Sequence, residues 1–560
     1  MDPILFGIGI AAIVLILIVT TINSRREAKI RLMNSLKNSY GEVPQREYSF
    51  EEFSNISRYF EKGKGRRFYI DDITWNDLDM DRVFKLINNT RSSAGEEYLY
   101  RMLREPEFDV EKLKEFDSLV EFMDANEEDR LALQKIFCGI GRSKKLSLAD
   151  FLDNFLNLEK RSTLWEWLNL VRFFAAIVVF AFDPAIGILA IIAVIIYNVL
   201  KYFNLKSEIG SYFICTSYIA KIIYASGIIG KRSDEALKVY EERLSELSEP
   251  LHRIVRKTNS IGNGSGVSDG PLEAIIEYKN MVFHTDIISF YQVLDMVKEH
   301  IDDIRELIDC IGRLESAVAV ASFRRLLPVY SKPEFTVNAG KKLNCVSLYH
   351  PLIEEPVANS IDTDSNVLLT GSNASGKSTF LKTVALNTLL SQSVFTSCSV
   401  KCEMGFYRLY SSMSLKDDLE GGDSYYMVEI KSLKRIMDAQ KEDGAPVMCF
   451  VDEVLRGTNT VERIAASGKI LECLDGDGAF VFAATHDIEL THMLENIYAN
   501  YHFREEVLDD DVKFNYILNE GRATTRNAIK LLKIMGYDEK VIDEANRCAE
   551  VFNESGEWRL

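Results

Sequence analysis

Gly371-Ser-Asn-Ala-Ser-Gly-Lys-Ser-Thr379 satisfies the pattern G-x-x-x-x-G-K-[ST]. Glycines at such spacing free backbone N–H groups to converge on an anion, and a lysine at its end supplies charge for phosphates. Gly371, Asn373, Gly376, Lys377, Ser378 and Thr379 therefore form a candidate nucleoside triphosphate cradle. In this reading Lys377 reaches the β- and γ-phosphates, and the Ser378 hydroxyl ligates Mg²⁺. Further on, Pro446-Val-Met-Cys-Phe-Val-Asp452-Glu453 is an apolar run ending in two carboxylates. Asp452 is a candidate to hold Mg²⁺ through water, and Glu453 to orient or deprotonate an attacking water. A third apolar run, Ala479 to Ala484, leads to Thr485-His486, and His486 is a candidate sensor of the γ-phosphate.

These groups need a scaffold that brings them together. Val367-Leu-Leu reads as a strand before the glycine loop, and Phe380 to Leu390 has helical periodicity after it. The runs before Asp452 and His486 also read as strands, which puts all three groups at strand carboxyl ends, where ligands collect in open α/β sheets. ATP and Mg²⁺ are the expected ligands.

Taken together, Gly371–Thr379 and Asp452-Glu-Val-Leu-Arg-Gly-Thr-Asn-Thr460 resemble the ATPase domain of the MutS DNA mismatch-repair family. Asp423-Ser424-Tyr-Tyr-Met-Val-Glu429 resembles that family's signature segment, and Ala484-Thr-His-Asp-Ile-Glu-Leu490 its histidine loop. The resemblance implies a head-to-tail homodimer of ABC type, in which Ser424 of one subunit caps the nucleotide held by the other. Tyr349-His-Pro-Leu-Ile353 resembles the entry to the domain, with Asn359 implied on the adenine side, and Glu355-Pro-Val-Ala-Asn359 offers no ring to stack on the base. Tyr516 to Gly521 and Asn527 to Phe552 resemble the closing helix-turn-helix used in dimerisation, and residues 70–106 the start of the family's helical core. The likeness spans roughly residues 66–163 and 204–553.

Other features depart from the family. Ile4 to Ile22 carries no charge and is long enough to cross a bilayer as a helix. Arg25, Arg26, Lys29 and Arg31 follow it, which by the positive-inside rule leaves the N-terminus outside. A cleaved signal peptide fits less well, since no basic residue precedes the run and no small-residue cleavage site follows. A second apolar block, Leu164 to Phe203, is broken at Asp183-Pro184 and reads as a transmembrane hairpin with Lys160, Arg161, Lys201 and Lys206 on one side. The alternative is a buried hairpin of a helical core. The hairpin falls where the family carries its DNA clamp, and no Phe-x-Glu mismatch-reading motif appears before the core; Phe503-Arg-Glu505 has the letters but lies beyond the histidine loop.

A net charge of −18 argues against a surface that grips phosphate backbones throughout. The 9 cysteines show neither metal spacing nor C-x-x-C pairs, which points to reduced thiols in the cytosol. The expected fold class is an α/β P-loop ATPase domain of ABC type joined to an all-α core with transmembrane helices. Expected boundaries are a membrane anchor at 1–23, core at 24–163, hairpin at 164–203, core and lever at 204–340, ATPase domain at 341–525 and helix-turn-helix at 526–560, with a flexible linker at 259–270. The expected location is the inner membrane, multi-pass, with the ATPase in the cytoplasm. The expected function is ATP hydrolysis in a composite dimer site, coupled to DNA binding or, alternatively, to a switch acting on unidentified protein partners. An ABC transporter fits poorly, because three crossings form no substrate pathway and Asp423–Glu429 is not of the Leu-Ser-Gly-Gly-Gln type.

Overall fold

The structure is a computed structural model that describes residues 3–143, 147–159, 161–232, 235–261, 271–336, 340–372, 375–413, 425–455, 458–476, 478–507, 512–523, 529, 532 and 536–555. The chain divides into two compact units: a helical unit of residues 1–64, 87–101 and 118–325, and a sheet unit of residues 65–86, 102–117 and 326–560.

This division differs from the linear boundaries expected above, because residues 65–86 and 102–117 pack with the sheets. Side chains explain it. The Asp77 carboxylate accepts from Ser411 Oγ (2.6 Å) and Met413 N–H (2.9 Å), and Arg435 pairs with Asp71 (2.7 Å). Glu107 N–H donates to the Gln392 carbonyl at 2.8 Å.

The sheet unit holds a six-stranded sheet in the order β10-β9-β4-β8-β7-β6. Its strands are β4 (Asn366–Thr370), β6 (Arg408–Ser412), β7 (Val447–Asp452), β8 (Ala479–Ala484), β9 (Tyr498–Val507) and β10 (Val512–Glu520). All pair in parallel except β9 with β10. A four-stranded sheet in the order β1-β5-β2-β3 joins β1 (Glu334–Phe335), β5 (Lys401–Met404), β2 (Leu343–Leu348) and β3 (Asn359–Thr363). Strands β4, β7 and β8 are buried at every position, as expected where helices cover both faces of a parallel sheet. Val447, Cys449 and Val451 pack with Leu433, Ile436 and Leu471 of the helices Tyr425–Ala439 and Thr460–Leu474. Met448 points the other way, to Thr388 in the helix Lys377–Val394.

In the helical unit every described element is a helix. Pro3–Asn38 is one continuous helix; the side chains of residues 1–14 and 16–18 of the expected anchor lie outside the described ones. Leu164–Phe182 is followed at once by Pro184–Ile229, a helix of 46 residues. The break at Asp183 has a local cause. Its carboxylate accepts from Ala185 N–H (3.0 Å) and Ile186 N–H (3.1 Å), and Pro184 takes the first helical position, where its missing N–H costs nothing. At Gly187 a Cβ would lie 2.1 Å from Phe180 Cα, so only glycine lets the two helices approach this closely.

The long helix does not end near residue 203 but runs on to Ile229, and its environment changes on the way. Leu164–Phe182 and Pro184–Gly210 are long and apolar enough to cross a membrane and are each 17% buried, whereas Tyr212–Ile229 is 61% buried and serves as core. Trp165, Trp167, Phe174, Leu189, Ile196 and Leu200 stand exposed on the first two. Most of the expected 259–270 linker lies outside the described residues; of the expected helix-turn-helix the described part is chiefly the helix Glu539–Ser555.

Candidate nucleotide site

The carboxyl ends of β4, β8 and β7, three adjacent parallel strands, carry the residues singled out above. After β4 the chain turns through Gly371 to Gly376 and enters the helix Lys377–Val394. Gly371 has φ +145° and Gly376 φ +106°, and a Cβ on Gly371 would meet Ser375 Oγ at 2.8 Å and the Phe503 carbonyl at 3.0 Å. The turn therefore requires glycine at both positions.

The Lys377 ammonium donates to the carbonyls of Gly371 and Ser372, each at 2.8 Å, and lies 3.5 Å from His486 Nε2. Ser378 Oγ donates to Asp452 Oδ2 at 2.5 Å. Glu453 Oε1 is 2.5 Å from His486 Nε2. Glu453 itself is held at φ +58°, with its N–H donated to the Ala484 carbonyl at 2.9 Å. A non-glycine residue held there stores on the order of 1–3 kcal/mol of backbone strain, a cost met most often where a side chain must be aimed.

Lys377, Ser378 and Glu453 border a cavity of about 500 Å³, and Asp452 and His486 are joined to it through Ser378 and Glu453. Ser372, Gly376, Lys377, Ser378, Thr379 and Glu453 line one side, and His350, Val357, Asn359, Phe503 and Tyr516 the other. Ser375 belongs to the same lining, and its Oγ is buried with no hydrogen-bond partner among the described residues. An orphaned hydroxyl beside convergent loop groups is what an anion-binding turn leaves for its ligand. The hard oxygen donors of Ser378 and Asp452 likewise suit Mg²⁺.

Asn359 lines the cavity but is engaged elsewhere: its Nδ2 donates to the Tyr516 carbonyl (3.0 Å) and its Oδ1 accepts from Leu518 N–H (2.7 Å). It thus fixes the irregular stretch of β10 between Phe514 and Leu518. That irregularity presents Tyr516, whose ring lies 3.2 Å from a Cβ built on Gly376. An aromatic ring therefore borders the cavity, supplied by β10 rather than by residues 355–359. Asn373 and Ser424 lie outside the described residues.

Three further residues at or beside the site had no role assigned from sequence. Tyr516 owes its position to a strand irregularity that has no local sequence signal. His350 borders the cavity and is kept neutral at ordinary pH, its pKa lowered to about 4 by burial and by Lys382 and Arg82, against an opposing effect of Asp79. Glu429, buried in the helix Tyr425–Ala439, accepts from Leu455 N–H at 2.5 Å and so ties the start of that helix to the loop after Glu453.

Comparison with known proteins matches residues 367–553 to MutS domain V. A DNA mismatch repair protein MutS of Natronomonas pharaonis is 35% identical over 289 residues, covering 49% of this chain and 32% of that protein. A DNA mismatch repair protein MutS 2 of Halobacterium salinarum is 29% identical, covering 46% and 30% respectively. MutS protein homolog 4 of Mus musculus is 31% identical, covering 44% and 27%. The matched stretch spans about a third of the length of these relatives.

Proposed function

This chain belongs to the MutS family through its domain V, and from that premise we propose that it is a membrane-anchored ATPase working as a homodimer. The observation that carries the proposal is the convergence of Lys377, Ser378 and Glu453 on one cavity, with Asp452 bonded to Ser378 and His486 to Glu453. The turn Gly371–Gly376 and the N-terminus of the helix behind it receive the phosphates of ATP. Lys377 exchanges its two carbonyl partners for phosphate oxygens. Tyr516 packs against the base. Glu453 accepts the proton of the attacking water, and His486 holds the Glu453 carboxylate in place from the far side. Ser378 and Asp452 would hold Mg²⁺, which would supply neutralisation of phosphate charge. Ser424 of the partner subunit completes the site, so that ATP favours the closed dimer and hydrolysis releases it.

The hairpin 164–203 and the helix from Pro3 anchor the chain in the inner membrane with the sheet unit in the cytoplasm. The exposed apolar faces of Leu164–Phe182 and Pro184–Gly210 support this. The ATP cycle is coupled to DNA binding, as the names of the relatives suggest. A second reading, in which the cycle drives a switch acting on protein partners, is favoured by the apolar hairpin. Salt-dependent affinity for duplex DNA separates the two, since a protein that contacts phosphates loses affinity steeply as salt rises.

In the detergent-solubilised chain, Lys377→Ala is expected to lose ATP binding. Glu453→Gln should keep binding while turnover falls by at least roughly 10²-fold, the scale of a lost general base. Wild-type turnover in Glu453→Gln would remove that residue from its role. The membrane assignment is checked by washing cell membranes with alkaline carbonate: the chain should stay in the pellet, and its release into the supernatant would overturn the anchor.

A further inference from the structure

We propose that Arg463, acting through Asp487, is a positioning residue for ATP hydrolysis. The proposal rests on the site reading above. Arg463 lies in the first turn of the helix Thr460–Leu474, which follows the loop after Glu453 and is capped by Asn459 accepting from Val461 N–H at 3.0 Å. Its guanidinium meets the Asp487 carboxylate with two bonds, Nε to Oδ2 at 3.0 Å and Nη2 to Oδ1 at 2.6 Å. Two parallel bonds from a planar fork fix the plane of the carboxylate as well as its distance.

Asp487 is the residue after His486. On the other side of His486, Thr485 donates its N–H to the Leu369 carbonyl of β4 at 2.9 Å, and its Oγ1 accepts from Asp487 N–H at 3.0 Å. His486 is therefore suspended between two anchors, one on the central strand and one on Arg463. From that position its Nε2 faces Glu453 at 2.5 Å and Lys377 at 3.5 Å.

The bland alternative is a salt bridge or helix cap that contributes only to folding. Asp487 precedes the helix Ile488–Met493 but makes no side-chain cap bond to it, because its carboxylate is directed to Arg463. The pair is also partly solvent-exposed, at 26% and 15%, a setting in which ion pairs contribute little to stability. Its effect is thus expected in the chemical step, where small misplacements cost rate steeply.

The test compares Arg463→Ala, Arg463→Lys, Asp487→Ala and the swap Arg463→Asp/Asp487→Arg with wild type, in the full detergent-solubilised chain. Arg463→Ala and Asp487→Ala are expected to lower kcat by roughly 10- to 100-fold, with KM and nucleotide Kd within about twofold and melting nearly unchanged. Arg463→Lys, which cannot make both bonds, should recover little, and the swap should recover several-fold over either alanine variant. Arg463→Ala with kcat within twofold of wild type overturns the assignment, as does a loss that tracks melting or nucleotide Kd, or a swap without recovery. Glu453→Gln run alongside separates the causes. If it is inert while Arg463→Ala is not impaired, only the positioning role fails; if it turns over normally, the reading of the whole site fails with it.

Discussion

Two glutamate–histidine pairs of almost the same length occupy opposite kinds of environment in this molecule. Glu453, at the wall of a cavity, lies 2.5 Å from His486, and their side chains are 20% and 34% exposed. Glu166 and His284 lie 2.7 Å apart in the helical unit, at 4% and 0%. The second pair is closed on every side. Glu166 also takes Lys201 Nζ at 3.1 Å and Asn169 Nδ2 at 3.0 Å, and His284 Nε2 meets the Asn198 carbonyl at 2.8 Å. His284 sits at φ +55° between the helices Pro271–Phe283 and Thr285–Glu299. Tyr202 extends the network by donating to Asp286 at 2.8 Å. The first pair retains an open side toward the cavity and a neighbour, Lys377, whose present partners are loop carbonyls. The same two residue types thus hold the base of the hairpin to a helix joint in one region and stand ready for a ligand in the other. What separates the two settings is closure: one pair is sealed by its neighbours, the other stands open to the cavity side.

That difference has consequences in opposite observables. Glu166→Leu leaves the buried His284 and the partly exposed Lys201 without their common carboxylate partner, and removing one member of such a network costs about 3–5 kcal/mol. In a unit of this size that lowers the melting temperature by roughly 10 °C. ATP turnover per folded molecule should change little. Glu453→Gln should do the reverse, losing turnover while melting stays close to wild type. Thermal denaturation and kcat measured on both variants check the crossing, and a Glu166→Leu protein that melts like wild type would show that the closed network is not what holds the hairpin base.

Much of the candidate site was legible because its signals are local. Gly371–Thr379 states its turn and its helix in one run, and Asp452-Glu453 and His486 each end an apolar strand. The break at Asp183-Pro184 was legible for the same reason, since an N-cap and a first-turn proline are adjacent in sequence. The contacts that were not legible join residues far apart. Glu166 meets His284 across 118 positions, and Asn359 meets Leu518 across 159. No local pattern predicts such pairs. Lys201 and Lys206 lower the hydropathy without breaking the helix, so the continuation of Pro184–Ile229 from exposed hairpin into core is a packing outcome. The allegiance of residues 65–86 to the sheets likewise rests on Asp77 and Asp71 finding Ser411 and Arg435.

A third histidine sharpens the comparison with a smaller effect. His350 borders the same cavity as Glu453, but burial, Lys382 and Arg82 hold its pKa near 4, with Asp79 opposing them only in part. An unfolded histidine titrates near 6.5. Above that pH the ring is neutral in both states and the protein bears no penalty. As the pH falls from about 6.5 toward 4, the unfolded chain takes up a proton that the folded one refuses, so stability declines with acidification across this window, by about 2 kcal/mol at pH 5. His350→Asn removes the titration. Its stability at neutral pH shifts by a constant for lost packing, but the gap to wild type should narrow between pH 7 and pH 5 by that same amount. Denaturant titrations of both proteins at the two pH values measure the narrowing. Parallel profiles would mean that His350 accepts its proton in the folded state, which would make the cavity wall less apolar than its lining of Val357, Phe503 and Tyr516 implies.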